Sequence, residues 1–178
     1  MSVESRSFPR TLLRIALLKA SPADLPYAPN VSLVLVACYL AINVLLSPIG
    51  ARGLELAAML AVAEVGLLAL FLRTVLALWK LRNRFVQTFS AAIGCGCGFS
   101  LAALPLAWGL QSLQGNPAST SPLPLLFVLL VVWNFVVIVH ILRQALDTRL
   151  HVSVGLNLIY MLCSFQVSVL ILAGSSAA

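Results

Sequence analysis

Glu64 is the residue best placed to do chemistry. It sits near the middle of the apolar run 54–79, about ten residues from each end of its core. An ionisable group at the centre of a bilayer costs several kcal/mol and normally faces the interior of a bundle. Two roles are open to it: a proton or cation site, or an acid hydrogen-bonded to a neighbouring helix. At 1.5 Å of rise per residue, Asn134, Ser100, Ser164 and, slightly outward, Asn43 fall at the depth of Glu64 on four other apolar runs. These five residues form a candidate polar core. Interhelical hydrogen bonds of this kind are worth about 0.6–2 kcal/mol each. Asn157 and Gln166 lie within about two turns of the same level.

Other reactive residues make no recognisable centre. Cys95 and Cys97 form a C-x-C in "GCGCG", but on a helix they point about 200° apart. A metal site generally needs four ligands at matching depth, and His140 and His151 lie near the ends of their runs. No metalloprotease, nucleophile-elbow or phosphate-loop motif is present, and no second deep acid accompanies Glu64. The expectation is therefore a protein without catalytic residues, metal or cofactor. No basic patch carries aromatics at stacking spacing, so nucleic acid is not an expected partner.

The elements that must position Glu64 follow from composition. Of 178 residues, 61% are hydrophobic and only 9% charged, against about 45–50% and about 25% in soluble domains. Too few charges remain to cover a soluble fold, which makes the bilayer the expected solvent and first partner. A spanning helix needs roughly 20 apolar residues. Five runs meet this: about 31–49, 54–79, 86–113, 123–142 and 151–173, with residues 174–178 left as a short tail. Their residues do not alternate polar with apolar, which excludes transmembrane strands. The predicted fold is all-α, a polytopic membrane bundle of five transmembrane helices.

Residues 1–30 precede the bundle. Residues 6–20 predict an amphipathic helix at the membrane surface. Arg6, Arg10 and Arg14 form one stripe, while Phe8, Leu12, Ile15 and Ala16 take the opposite side, and Lys19 adds a fourth membrane-surface cation near the end. Such a helix lies in the headgroup plane with its cations toward anionic lipid headgroups. Packing on the protein is the competing reading. "SPADLPYAPN" (21–30) holds three prolines and predicts a rigid, extended linker. On the third run, Ser90, Gly94, Gly98 and Ala102 recur at steps of four, a small-residue stripe for close helix packing. The stripe serves a helix of this chain, a second copy or another membrane protein. Pro105 should bend the same helix. Trp79 and Trp108 suit opposite interfaces, whereas Trp133 sits deep and predicts packing inside the bundle.

The scarce charges carry topology. With five spans, Arg6, Arg10, Arg14, Lys19, Arg73, Lys80, Arg82, Arg84, Arg143 and Arg149 fall on one side, leaving only Arg52, beside Glu55, on the other. The positive-inside rule then gives a cytoplasmic N-terminus and an external or periplasmic C-terminus. A multi-pass protein of a bacterial inner membrane is the expectation.

Asp24, Leu25, Pro26, Tyr27 and Pro29 before the first span, and "RFVQTFSAAIG" from Arg84 to Gly94, make residues 24–173 resemble the Yip-type membrane proteins, in particular their bacterial members. The resemblance implies five helices and a cytoplasmic N-terminus. Short loops without a ligand cluster point to a non-enzymatic scaffold, assembly or membrane-organising factor. A small transporter or ion-conducting protein using Glu64 is the alternative, and an accessory subunit of a larger complex is a third reading.

Overall fold

In the computed structural model, which describes residues 8–46, 53–113 and 121–176, the chain forms six helices. They are α1 (Phe8–Ala16), α2 (Pro29–Leu46), α3 (Gly53–Leu78), α4 (Phe85–Leu113), α5 (Leu123–Leu146) and α6 (Leu150–Ser176). There is no strand among the described residues. Helices α2 to α6 are each long and apolar enough to cross a membrane. Arg6, Arg52 and the last two residues of the expected tail lie outside the described residues.

Helix ends depart from the sequence expectation where no glycine marks them. α1 stops at Ala16, four residues before the expected end. Leu18 adopts a left-handed φ of 62°, and Leu18 N and Lys19 N donate back to Ile15 O and Arg14 O at 2.9 and 2.8 Å. That pair of bonds is a Schellman closure. α3 ends the same way, with Lys80 at φ 59° and bonds from Lys80 N to Ala77 O and Leu81 N to Leu76 O. α5 runs to Leu146 rather than 142 and closes on Asp147 in the left-handed region. α6 extends to Ser176 and absorbs most of the expected tail. α4 continues through Pro105 as a single helix.

The linker between α1 and α2 is only partly extended. Ser21 caps a 3-10 turn over Pro22–Asp24, its N–H bonded by Asp24 Oδ2 at 2.9 Å. The next residue, Leu25, is 1% exposed, and its carbonyl accepts from Gln87 Nε2 at 2.8 Å. The turn thus pins the approach to α2 against the first turn of α4.

The spans form a ring in the order α2, α4, α5, α6, α3, and α3 also touches α4. α2 and α4 run parallel in register. Ser32 Oγ meets Ser90 Oγ at 2.6 Å near one end, and Asn43 Nδ2 donates to Ser100 Oγ at 3.4 Å further along. All nine described Lys and Arg residues belong to the segment before α2, the α3–α4 joint or the α5–α6 joint, so they share one end of the ring. That basic end is the tight one. Leu72, Val75 and Leu76 of α3 pack there with Ala92 of α4 and Leu142, Ala145 and Leu146 of α5. On α6 only Ser153 and Asn157 are buried, and the residues beyond Asn157 are half-buried or exposed.

α1 is covered by protein. Ile15 is fully buried with Leu25, Ala91, Cys95, Val137 and Ile141, roughly 9–15 Å along α4 from its start. The apolar face expected to enter lipid is therefore the face docked on α4 and α5, because a ready-made apolar groove on the same chain satisfies it. Arg10, Arg14 and Lys19 remain exposed on the far side.

Candidate polar site between the helices

Glu64 lies near the middle of α3 and faces inward between α2, α5 and α6. From α2, the Tyr39 hydroxyl is turned to its carboxyl. Tyr39 can lie there because its neighbour on α4 is glycine: a Cβ at Gly96 would stand 3.0 Å from Tyr39 Cε2. The Tyr39 backbone is fixed in turn, its carbonyl accepting from Asn43 Nδ2 at 2.9 Å.

On the other side of Glu64 is a cavity of about 340 Å³ between α3, α5 and α6. Its polar wall is Glu64, Asn134, Asn157, Tyr160, Ser164 and Ser168. Asn134 Oδ1 is buried and has no hydrogen-bond partner among the described residues. A buried acceptor left unpaired costs roughly 1–3 kcal/mol. Ser168 turns its hydroxyl away to Ser164 O at 2.9 Å, so it does not relieve Asn134. Tyr160 is braced from behind by Phe71, with ring centroids 5.3 Å apart. Val131, Met161 and Phe165 also line the cavity and are exposed on the outer surface. The cavity therefore opens sideways between α5 and α6. Its polar wall gathers one carboxyl, to which Tyr39 is turned, with amide and hydroxyl side chains around a space that holds a small solute or several waters.

The five residues expected to share one polar layer separate into two groups. Glu64, Asn134 and Ser164 meet at the cavity. Asn43 and Ser100 pair with each other on the α2–α4 seam instead, because α2 and α4 run parallel with their polar residues in step. Depth along the axis brings Glu64, Asn134 and Ser164 to one cavity and leaves the direction around each helix open. Tyr39 and Tyr160 were missed. Each sits in an apolar run, where a tyrosine reads as a hydrophobe, and the signal available was a hydroxyl at the depth of Glu64. Asn157, two turns from that depth, is part of the site, whereas Gln166 is exposed and outside it.

The first half of the small-residue stripe on α4 packs within this chain, and its second half, Gly98 and Ala102, is exposed. Ser90 bonds Ser32 of α2, and a Cβ at Gly94 would stand 2.7 Å from Leu12 Cδ1 of α1. Gly98 and Ala102 line an apolar groove of about 420 Å³ beside α1. Trp133 is not packed inside the bundle. It stands 41% exposed at this groove, its Nε1 donating to Ala16 O at 3.2 Å. Cys95 Sγ points to Leu12 O of α1 and Cys97 Sγ to Leu35 O of α2, in keeping with their divergence on a helix. His140 Nε2 bonds Ala20 O at 3.1 Å. No cluster of three or more metal-ligating side chains forms among the described residues.

Comparison with family models, with curated proteins and with solved structures finds no match.

Proposed function

We propose that the protein is a small, non-enzymatic membrane carrier that takes a proton or small cation at Glu64. The observation that carries this is the deep acid Glu64 lining one polar cavity with Asn134, whose buried Oδ1 has no hydrogen-bond partner among the described residues. A deep acid on a polar cavity that opens to the surface supports a proton or cation site, and an amide oxygen left unpaired beside it is not what packing alone would select. Intramembrane acids beside a polar cavity commonly mark ion or proton paths. The test is flux into liposomes holding the purified protein, read with a pH-sensitive dye and with labelled monovalent cations. Wild type should pass protons or one of the cations faster than Glu64→Gln. Equal flux of every ion through both proteins would end this reading.

In the same proposal the basic end faces the cytoplasm of a bacterial inner membrane and the C-terminus lies outside. Reporters fused at residue 178 and within 80–85 should then report opposite sides, whereas same-side signals would overturn the arrangement. Kinship with the Yip-type proteins is a further proposal, on which the site does not depend. The scaffold reading is weaker than the sequence suggested, because α1 occupies Gly94 at the centre of the stripe. One observation still favours an accessory subunit: the apolar surface of α6 is unburied beyond Asn157. Isolation in mild detergent as a lone monomer would count against a stable partner.

A further inference from the structure

A second cavity, of about 370 Å³, lies at the basic end where α3 passes into α4. Arg73 and Arg82 both line it, with Tyr27, Asn83 and an apolar wall of Leu76, Phe85 and Val86. Three arginines meet at this joint, and their uses differ. Arg84 is structural: its Nη1 donates to Ala145 O at 3.1 Å and ties the joint to α5. Arg73 and Arg82 are exposed, and neither guanidinium has a hydrogen bond or ion pair among the described residues. No acid lines the cavity. Of the described acids, Asp24 is committed to Ser21 N, Asp147 closes α5, and Glu55 and Glu64 lie toward the other end of α3 or at its middle.

Two like charges on one small cavity repel, and none of the described acids lies there to offset them. A guanidinium fork matches a phosphate in a bidentate fashion. The joint lies at the end of two candidate spanning helices, and the ends of spanning helices are where headgroups meet acyl chains. The wall of Leu76, Phe85 and Val86 gives such a chain an apolar surface beside the two cations. We propose that this cavity binds the phosphate of an anionic phospholipid, held between Arg73 and Arg82, with Asn83 and Tyr27 as neutral donors. This site is separate from the surface stripe of α1 and independent of the Glu64 cavity.

The experiment is native mass spectrometry of the purified protein after exchange into mixed micelles of phosphatidylglycerol and phosphatidylcholine. Attraction of anionic lipid is worth about 1 kcal/mol per basic residue, so two give roughly a 30-fold preference. Wild type should retain phosphatidylglycerol with that preference. Arg73→Gln and Arg82→Gln should each lower it roughly five-fold, and the double variant should bind both lipids alike. Arg143→Gln, at the same end but outside the cavity, should leave the preference unchanged. Since Arg73 and Arg82 make no contact that holds the fold, circular dichroism of the variants should match wild type. An unchanged preference in the double variant, or an equal loss in Arg143→Gln, would overturn the site. Displacement of the lipid by millimolar inorganic phosphate would overturn the lipid assignment in favour of a soluble phosphate.

Discussion

Leu12 of α1 sits in a notch made by Gly94 of α4, so closely that a Cβ there would stand 2.7 Å from Leu12 Cδ1. The clash falls on the end of a flexible side chain, which sets the size of each substitution. Gly94→Ala asks Leu12 only to turn, and should cost under about 1 kcal/mol. Gly94→Leu overfills the notch and should cost about 1–3 kcal/mol, lifting α1 off the bundle. Cys95, now 3% exposed beneath α1, reports the event. With Cys38, Cys97 and Cys163 replaced by alanine, a membrane-permeant maleimide should label Cys95 much faster in Gly94→Leu than in the parent. Gly98→Ala is the control, because its Cβ would meet nothing within 4 Å, and it should leave labelling unchanged.

Asn134 gives a prediction of opposite sign for stability and for flux. Its Oδ1 is buried without a partner, at a cost of roughly 1–3 kcal/mol to the empty protein. Replacing it by leucine removes the orphan acceptor and conserves most of the volume. Asn134→Leu should therefore raise the melting temperature in detergent while lowering Glu64-dependent flux in liposomes. If Asn134→Leu melts lower than wild type, Asn134 is satisfied in the resting protein and the cavity loses its main claim to a ligand.

Much of this architecture was legible because the bilayer leaves so few options. Five apolar runs had to be five helices, and the positions of nine described cations fixed which ends lie together. The polar site was half legible. Asn134 and Ser164 were found from depth alone, since rise per residue is constant. Asn43 and Ser100 bond each other across α2 and α4 and do not line the cavity, a division that depth alone does not give, since the rotation of each helix depends on its neighbours. The docking of α1 was open for a similar reason: Ile15 and Leu12 need an apolar surface, and the pattern cannot say whether lipid or the α4–α5 face supplies it. The early stop of α1 at Ala16 was hidden altogether, because a left-handed leucine at position 18 carries no sequence signal.

That kind of closure gives a further prediction at Lys80. It closes α3 at φ 59°, a conformation that disfavours any residue with a Cβ by roughly 1–2 kcal/mol. Lys80 is exposed, so its replacement disturbs no packing. Lys80→Gly and Lys80→Ala both lose the cation at the helix C-terminus, and comparing them isolates the backbone. After the greater chain entropy of glycine is subtracted, Lys80→Gly should be the more stable by roughly 0.5–1 kcal/mol. Thermal melts of the two variants side by side measure it, and equal stability would mean that the closure relaxes when the lysine is removed.

The α2–α4 seam holds two polar contacts of unequal geometry, and they should differ in energy. Ser32 Oγ lies 2.6 Å from Ser90 Oγ, and Ser90 passes its own proton to Val86 O at 2.7 Å. With Ser32 Oγ also 3.3 Å from Ala28 O, the two hydroxyls form a chain whose ends rest on the backbone just before α2 and on that of α4. Asn43 Nδ2 reaches Ser100 Oγ only at 3.4 Å, while its better bond, at 2.9 Å, goes to Tyr39 O on its own helix. Interhelical hydrogen bonds in membranes average about 0.6 kcal/mol with a maximum near 1.7. A double-mutant cycle with Ser32→Ala and Ser90→Ala should fall in the upper part of that range. The cycle with Asn43→Ala and Ser100→Ala should fall near zero, since most of the asparagine's loss is intrahelical and appears in the single variant. Equal couplings would show that distance does not rank these contacts and that the seam is held by its apolar packing.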